Sequence, residues 1–163
     1  MKVGLGFDVH AFDAARPLVL GGVVVPDAPG LAGHSDADVV SHALSDALLG
    51  AAGLGDLGSM FPPTEVWRDA SSLEILASSA GAARDAGWEL VNADVTVIAE
   101  RPRLAPYRAA MAARMAEALG AEAGVISVKA TTSDGLGFTG RGEGIAAIAV
   151  VLLKQAAAPP IAF

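Results

Sequence analysis

Apolar and polar positions first fall into a pattern in KVGLGFDVH (2–10), which reads as a strand. RPLVLGGVVVP (16–26) reads as a short hairpin turned by Gly21-Gly22, and DAPGLAG (27–33) as loop. A helix is expected from about Asp36 to near Gly53, a residue suited to the position just past a C-cap. Its apolar stripe is Val40, Ala43, Leu44, Ala47, Leu48 and Ala51. Asp38, His42 and Asp46 recur at i, i+4, i+8 and share a strip on the other side. GLGDLGSMFPPTE (53–65) is a loop punctuated by glycine and proline, with Asp56 at its centre.

A second helix is predicted from about Ser71 to Asp85, and Gly87 leads into the strand WELVNADVTVIA (88–99). ERPRLAP (100–106) connects to a third helix, with Pro106 in its first turn, Met111, Met115 and Leu119 as its stripe and Gly120 as its stop. GVISVKATT (124–132) is a strand, SDGLGFTGRGEG (133–144) a loop with five glycines, and IAAIAVVLLK (145–154) a buried strand. This order predicts one α+β domain over residues 1–155, a mixed β-sheet with helices packed on one face. Residues 156–163 are expected to be a disordered C-terminal tail.

Composition narrows the class. The 163 residues suit one domain, and 53% hydrophobic residues supply a core. A formal net charge of -7 argues against nucleic acid or an anionic membrane surface as partner. The chain has no cysteine, which excludes disulfides and thiolate zinc sites. It shows no signal-peptide pattern and no run of about 18 apolar residues, so a cytoplasmic protein is expected. Few aromatics and many alanines suggest that oligomerisation completes part of the apolar surface.

Chemistry gathers at four places. Asp8 and His10, at i and i+2, project from one face of a strand. With His42 from the helix they would form a two-His, one-carboxylate zinc site with an open fourth position. Asp46, one turn beyond His42, would orient its ring. The plainer alternative has His42 facing water and His34 as a loop histidine without a role. Secondly, Thr131, Thr132 and Ser133 offer three hydroxyls, and Asp134 a carboxylate suited to a magnesium-like ion. The glycines after them let backbone N–H groups approach a phosphate, although a P-loop ending is missing; an ordinary glycine-rich turn is the alternative. Thirdly, Asp56 either grips a sugar hydroxyl or makes an Asx-turn. Fourthly, AERPRLAP (99–106) either reads a base edge or is surface loop. Residues alone support a metal-dependent, phosphate-handling α+β domain.

GFDVHAF, LGG, HSDADVVSHALSDALLGAAGLGDLGSMFP, IAERPRLAPY and VKATTSDGLGFTGRGEGIAAIAVVLL, taken in order, span almost the whole chain. Together they resemble the 2-C-methyl-D-erythritol 2,4-cyclodiphosphate synthases of the non-mevalonate isoprenoid pathway. The resemblance implies a phosphorus-oxygen lyase that converts 4-diphosphocytidyl-2-C-methyl-D-erythritol 2-phosphate to the cyclic diphosphate and CMP. It implies a homotrimer with active sites at subunit interfaces, zinc (Zn2+) on Asp8, His10 and His42, and a second ion, magnesium or manganese, bridging the diphosphate with Asp134 as ligand. His34 and Thr132 would be catalytic, and Ser35 would contact the substrate. Asp56, Gly58 and Phe61 would line the methylerythritol pocket. The backbone of Ala99, Pro102, Arg103, Leu104 and Ala105 would hold the cytosine, and Thr131 and Ser133 the diphosphate. Phe138 and Arg141 would lie near a central cavity that binds an isoprenoid diphosphate in some members.

Two positions depart from the family. It usually has Glu where this chain has the shorter Asp134, and often FPDTD where this chain has FPPTE (61–65). Contacts from Pro63, Thr64 and Glu65 are therefore not carried over. Two rival readings are a zinc phosphodiesterase that activates water and a non-catalytic trimeric module that binds nucleotides or isoprenoid diphosphates.

Overall fold

The computed structural model describes residues 1–156, so the expected tail lies outside the described residues apart from Ala156. The elements in chain order are β1 (Lys2–Leu20), β2 (Val23–Leu31), α1 (Val39–Ala52), α2 (Leu57–Met60), a 3-10 turn (Glu65–Trp67), α3 (Ser72–Asp85), β3 (Trp88–Ile98), α4 (Arg108–Leu119), β4 (Ile126–Thr131), α5 (Gly137–Gly140) and β5 (Gly144–Gln155). The strands form one five-stranded sheet in the order β2-β1-β5-β3-β4. β3 and β4 run parallel, with α4 in the crossover such a pair requires, and the other neighbours are antiparallel. α1 packs on β1 and β5, α3 on α1, and α4 on α3 and β4. The α+β reading with helices on one face therefore holds.

The first strand is longer than its sequence suggests. Lys2–Ala11 pairs with β5, and from Phe12 the same strand pairs with β2, with register shifts around Pro17. That change of partner breaks the alternation, so the pattern shows two pieces. The Gly21-Gly22 turn is as expected, both residues having positive φ (55° and 71°). The segment expected as loop 27–33 instead continues β2 as far as Leu31. The loops 53–65 and 133–144 each contain a short helical turn, α2 and α5. The third helix begins two residues after Pro106.

α1 carries the central positioning role. Its N-cap is Asp38, which is wholly buried and accepts from Val40 and Ser41 N–H. The same carboxylate accepts from the N–H groups of Gly21 and Gly22, at 2.8 and 2.7 Å, which ties the hairpin turn to the helix start. Burial and the nearby charge of Asp36 push the Asp38 carboxyl upward, against those hydrogen bonds. The strip of Asp38, His42 and Asp46 is therefore not a solvated face: His42 is only 8% exposed. Below α1 lie Gly4 and Gly6 of β1. A Cβ on Gly4 would meet the Ala47 carbonyl oxygen at 2.0 Å, and one on Gly6 the Ala43 carbonyl oxygen at 2.0 Å. Helix and strand thus meet backbone to backbone, which only glycine allows.

Among the described residues, no helix covers the opposite sheet face. Val3, Leu5, Phe7 and Val9 of β1 and Val150 of β5 are exposed there.

Candidate metal centre and substrate clefts

Asp8 and His10 sit on the helix-facing side of β1, two and four residues beyond Gly6. The close seat of α1 brings His42 onto them. Asp8 Oδ2 lies 2.9 Å from His10 Nε2 and 3.2 Å from His42 Nδ1, and the two imidazole nitrogens are 3.2 Å apart. Among the described residues, these three are the group of ligating side chains that can hold a metal ion. Each ring is fixed from behind. His10 Nδ1–H donates to the Ala32 carbonyl at 2.6 Å, which leaves Nε2 facing the cluster. Nε2 of His42 lies 2.8 Å from Ser72 Oγ and 3.1 Å from Ser35 Oγ, which leaves Nδ1 facing the cluster. One carboxylate oxygen and two imidazole nitrogens, half-buried and convergent, fit a zinc-like divalent ion.

Charge balance supports that fit. Burial would raise the Asp8 carboxyl, but hydrogen bonds and charge from His10 and His42 outweigh it and hold it well below the usual carboxylate range. Burial would lower His10, but its hydrogen bond and charge pairing with Asp8 outweigh it and raise it above its ordinary 6.5. A raised folded value means that the pair stabilises the metal-free protein below about pH 6.5 and loses that contribution as pH rises through the folded value. Asp8 has the opposite sign, its contribution fading only as pH falls below its ordinary 3.8. In excess chelator, the urea midpoint is therefore expected to fall between about pH 5 and about pH 9. A flat profile that matches His10→Gln would overturn this coupling.

The cluster ends a cleft of about 380 Å³ that is also lined by His34, Ser35, Leu57, Gly58, Phe61, Pro63 and Trp67. Phe61 and Trp67 meet edge to face at 4.9 Å and form one wall. Asp46 does not orient His42; it accepts from Leu57 N–H at 3.0 Å and anchors α2 against the cleft. Ser72, with Ser35, takes the position behind the His42 ring that the helical spacing assigned to Asp46. The Asp56 carboxylate caps α2, accepting from Ser59 N–H at 2.7 Å, so it makes the turn of the plainer alternative. His34 Nε2–H donates to the Thr64 carbonyl at 2.6 Å and pins the 62–67 loop. Arg16 reaches across from β1 and donates to the carbonyls of Gly33 and Ser35, on either side of His34.

A second cleft, of about 350 Å³, is lined by Ala99, Pro102, Arg103, Leu104, Ala105, Thr131 and Thr132. The structure thus joins the 99–105 connection to the end of β4. Glu100 makes the join: its Oε1 accepts from Ser133 N–H (2.9 Å), Ser133 Oγ (3.2 Å) and Gly135 N–H (3.3 Å). These bonds, that of Gly135 first, lower the Glu100 carboxyl. Ser133 and two loop N–H groups are therefore engaged by a carboxylate within the chain. Asp134 is exposed at positive φ (56°), with its N–H 3.4 Å from Thr132 Oγ1. It belongs to no group of three ligating side chains among the described residues. Arg141 pairs with Glu143 at 2.6 Å and lines a third cleft with Arg101 and Arg103, whereas Phe138 stands exposed outside all three.

Ser72, Glu100, Arg16 and Trp67 are the site residues that sequence reasoning missed. Nothing in the local pattern marks them: Ser72, Glu100 and Arg16 act across 17 or more residues, and Trp67 meets Phe61 across an irregular loop that has no periodicity.

Comparison with known proteins agrees with this geometry. A model of the YgbB family matches residues 1–154. The 2-C-methyl-D-erythritol 2,4-cyclodiphosphate synthase of Moorella thermoacetica is 58% identical over 154 residues, 94% of either chain. The bifunctional IspDF from Campylobacter jejuni superposes with a TM-score of 0.91 at 45% identity, over 94% of this chain and 42% of that one. A CDP-bound form of 2C-methyl-D-erythritol-2,4-cyclodiphosphate synthase superposes with a TM-score of 0.85 at 35% identity, over 94% of this chain and all of the other. The matched length and identity show that the chain belongs to the YgbB family.

Proposed function

We propose that the protein converts 4-diphosphocytidyl-2-C-methyl-D-erythritol 2-phosphate to 2-C-methyl-D-erythritol 2,4-cyclodiphosphate and CMP, in the non-mevalonate isoprenoid pathway. The observation that carries this reading is the Asp8–His10–His42 cluster at the end of a walled cleft, in a chain closely related to synthases of that name. In the reaction an oxygen of the substrate's own 2-phosphate attacks the β-phosphorus. The bond from that phosphorus to the CMP oxygen breaks, and CMP leaves. The nucleophile is already anionic, because a phosphate monoester has its second pKa near 6, so no protein nucleophile is needed. The difficulty is charge and ring closure, which calls for positioning and electrostatic stabilisation.

When bound, a zinc-like ion on Asp8, His10 and His42 and a second ion, magnesium or manganese, on Asp134 supply Lewis acidity toward the phosphate oxygens. His34 and Ser35, at the metal end of the first cleft, contact the phosphates there. Phe61 and Gly58 wall the methylerythritol, with Asp56 shaping that wall as the cap of α2. Thr132 gives its hydroxyl to the reacting phosphate, while Thr131 and Ser133 frame the diphosphate. The 99–105 backbone holds the cytosine, as suits a family with a CDP-bound relative.

The first and second clefts share no residue, and the open sheet face is apolar. Both features support a homotrimer in which one subunit's metal end meets a neighbour's cytosine end, with Phe138 and Arg141 toward a central cavity for an isoprenoid diphosphate. Phosphorus NMR is the test. Incubation with the substrate should give a cyclic diphosphate and CMP, and both should stop on chelation. A linear phosphate product would favour the phosphodiesterase, and no CMP release would favour the binding module. Sedimentation should give the mass of three chains; one or two would overturn the trimer.

A further inference from the structure

We infer that Asp36 and Ser72 are positioning residues that set the tautomer of His42 and so aim its Nδ1 lone pair at the metal position. The inference rests on the metal reading of Asp8, His10 and His42 proposed above. It starts from a chain of three groups, Asp36, Ser72 and His42, of which the proposed chemistry uses only the last. Ser72 is wholly buried, and its Oγ hydrogen-bonds Asp36 Oδ1. Asp36 Oδ2 accepts from Ser72 N–H at 3.0 Å, so the carboxylate is held against this serine by two bonds. On the other side Ser72 Oγ lies 2.8 Å from His42 Nε2.

Proton counting gives the direction. A carboxylate only accepts, so the single Ser72 hydroxyl proton goes to Asp36. Ser72 Oγ then has only lone pairs left for His42, so Nε2 must carry the proton and donate it. A neutral imidazole holds one proton, and Nδ1 is left bare. Nδ1 is the nitrogen that faces Asp8 and His10; Asp8 Oδ2, at 3.2 Å, would draw the ring proton there, and the shorter 2.8 Å bond to Ser72 Oγ holds it on Nε2. Ser35 cannot impose this by itself. Its Oγ is 3.1 Å from Nε2, but its own proton is committed to no carboxylate, so it can serve either tautomer. The arrangement is a carboxylate–histidine–metal relay with a serine inserted as the middle link. Its members come from the loop before α1, the first residue of α3 and the first turn of α1, so the ring is locked by three segments at once.

The test uses the native chain first. It has three histidines, so the nitrogen spectrum of a histidine-labelled sample is assignable. In zinc-free protein, at a pH where the ring is neutral, long-range nitrogen–proton correlation should show His42 with its proton on Nε2. A proton on Nδ1 would overturn the inference whether or not the protein binds zinc. Ser72→Ala should then mix the two tautomers and weaken zinc binding about tenfold or more, measured by chelator competition. Ser72→Thr, which keeps the hydroxyl, should restore the single tautomer. Unchanged tautomer and unchanged zinc affinity in Ser72→Ala would overturn the positioning role. Failure of the native protein to take up zinc would instead overturn the metal reading and leave the tautomer result standing by itself.

Discussion

His42→Ala is expected to lower zinc affinity by about a hundredfold or more, to abolish metal-dependent turnover, and to leave the fold in place. The size follows from ligand count. Structural zinc sites with four ligands bind with about 10–16 kcal/mol, or roughly 3 kcal/mol per ligand, and about 1.4 kcal/mol is a factor of ten. Here only three protein ligands converge, so removing one leaves Asp8 and His10 as a two-point hold. The fold should survive because the core does not depend on this ring. α1 is anchored by the Asp38 cap and by the buried Leu44 and Leu48. The variant loses the hydrogen bonds to Ser35 and Ser72, a cost of about 1–3 kcal/mol. Circular dichroism, chelator competition and phosphorus NMR of the product measure the three claims. A variant that folds, turns over and retains native zinc affinity would remove His42 from the site.

The contrast between what the sequence foretold and what it hid has a physical basis. Helix-period stripes and glycine stops are local signals, so α1, α3 and α4 were legible to within a few residues. The Gly21-Gly22 turn was legible because φ is positive at both positions. The length of β1 was not, because a strand that changes partners midway interrupts its own alternation. Asp8 and His10 were legible as a pair because i and i+2 share a strand face whatever the fold. His42 joined them only as a candidate, since its distance from β1 depends on how closely α1 docks. Asp46 shows the limit of helical spacing: it is one turn from His42, yet its carboxylate turns to Leu57 N–H. Ser72 and Glu100 act across 30 or more residues, on His42 and on the 133–135 turn, and no periodicity reports such contacts.

Gly6→Ala is expected to destabilise the protein by about 3 kcal/mol and to weaken zinc binding about tenfold, although it adds only one methyl group and replaces no ligand. The new Cβ would lie 2.0 Å from the Ala43 carbonyl oxygen and 2.6 Å from Ala47 N. Both are backbone atoms of a helix, so no side chain can turn away to relieve the clash; α1 must lift as a body or β1 must bend. Overpacking costs typically about 1–3 kcal/mol, and a backbone contact this short belongs at the upper end. At an m-value of about 2 kcal/mol/M, the urea midpoint should drop by about 1.5 M. His42 adjoins Ala43, so lifting α1 also stretches the 3.2 Å approach of His42 Nδ1 to Asp8. Gly50→Ala supplies a control on the same helix. A Cβ there meets nothing within 4 Å, and replacing a helical glycine should raise stability by about 0.5–1 kcal/mol without touching zinc affinity. Opposite signs from two glycine-to-alanine changes in contact with or within α1 would show that its close seat on β1 sets the metal site. A Gly6→Ala protein with native midpoint and native zinc affinity would refute that dependence.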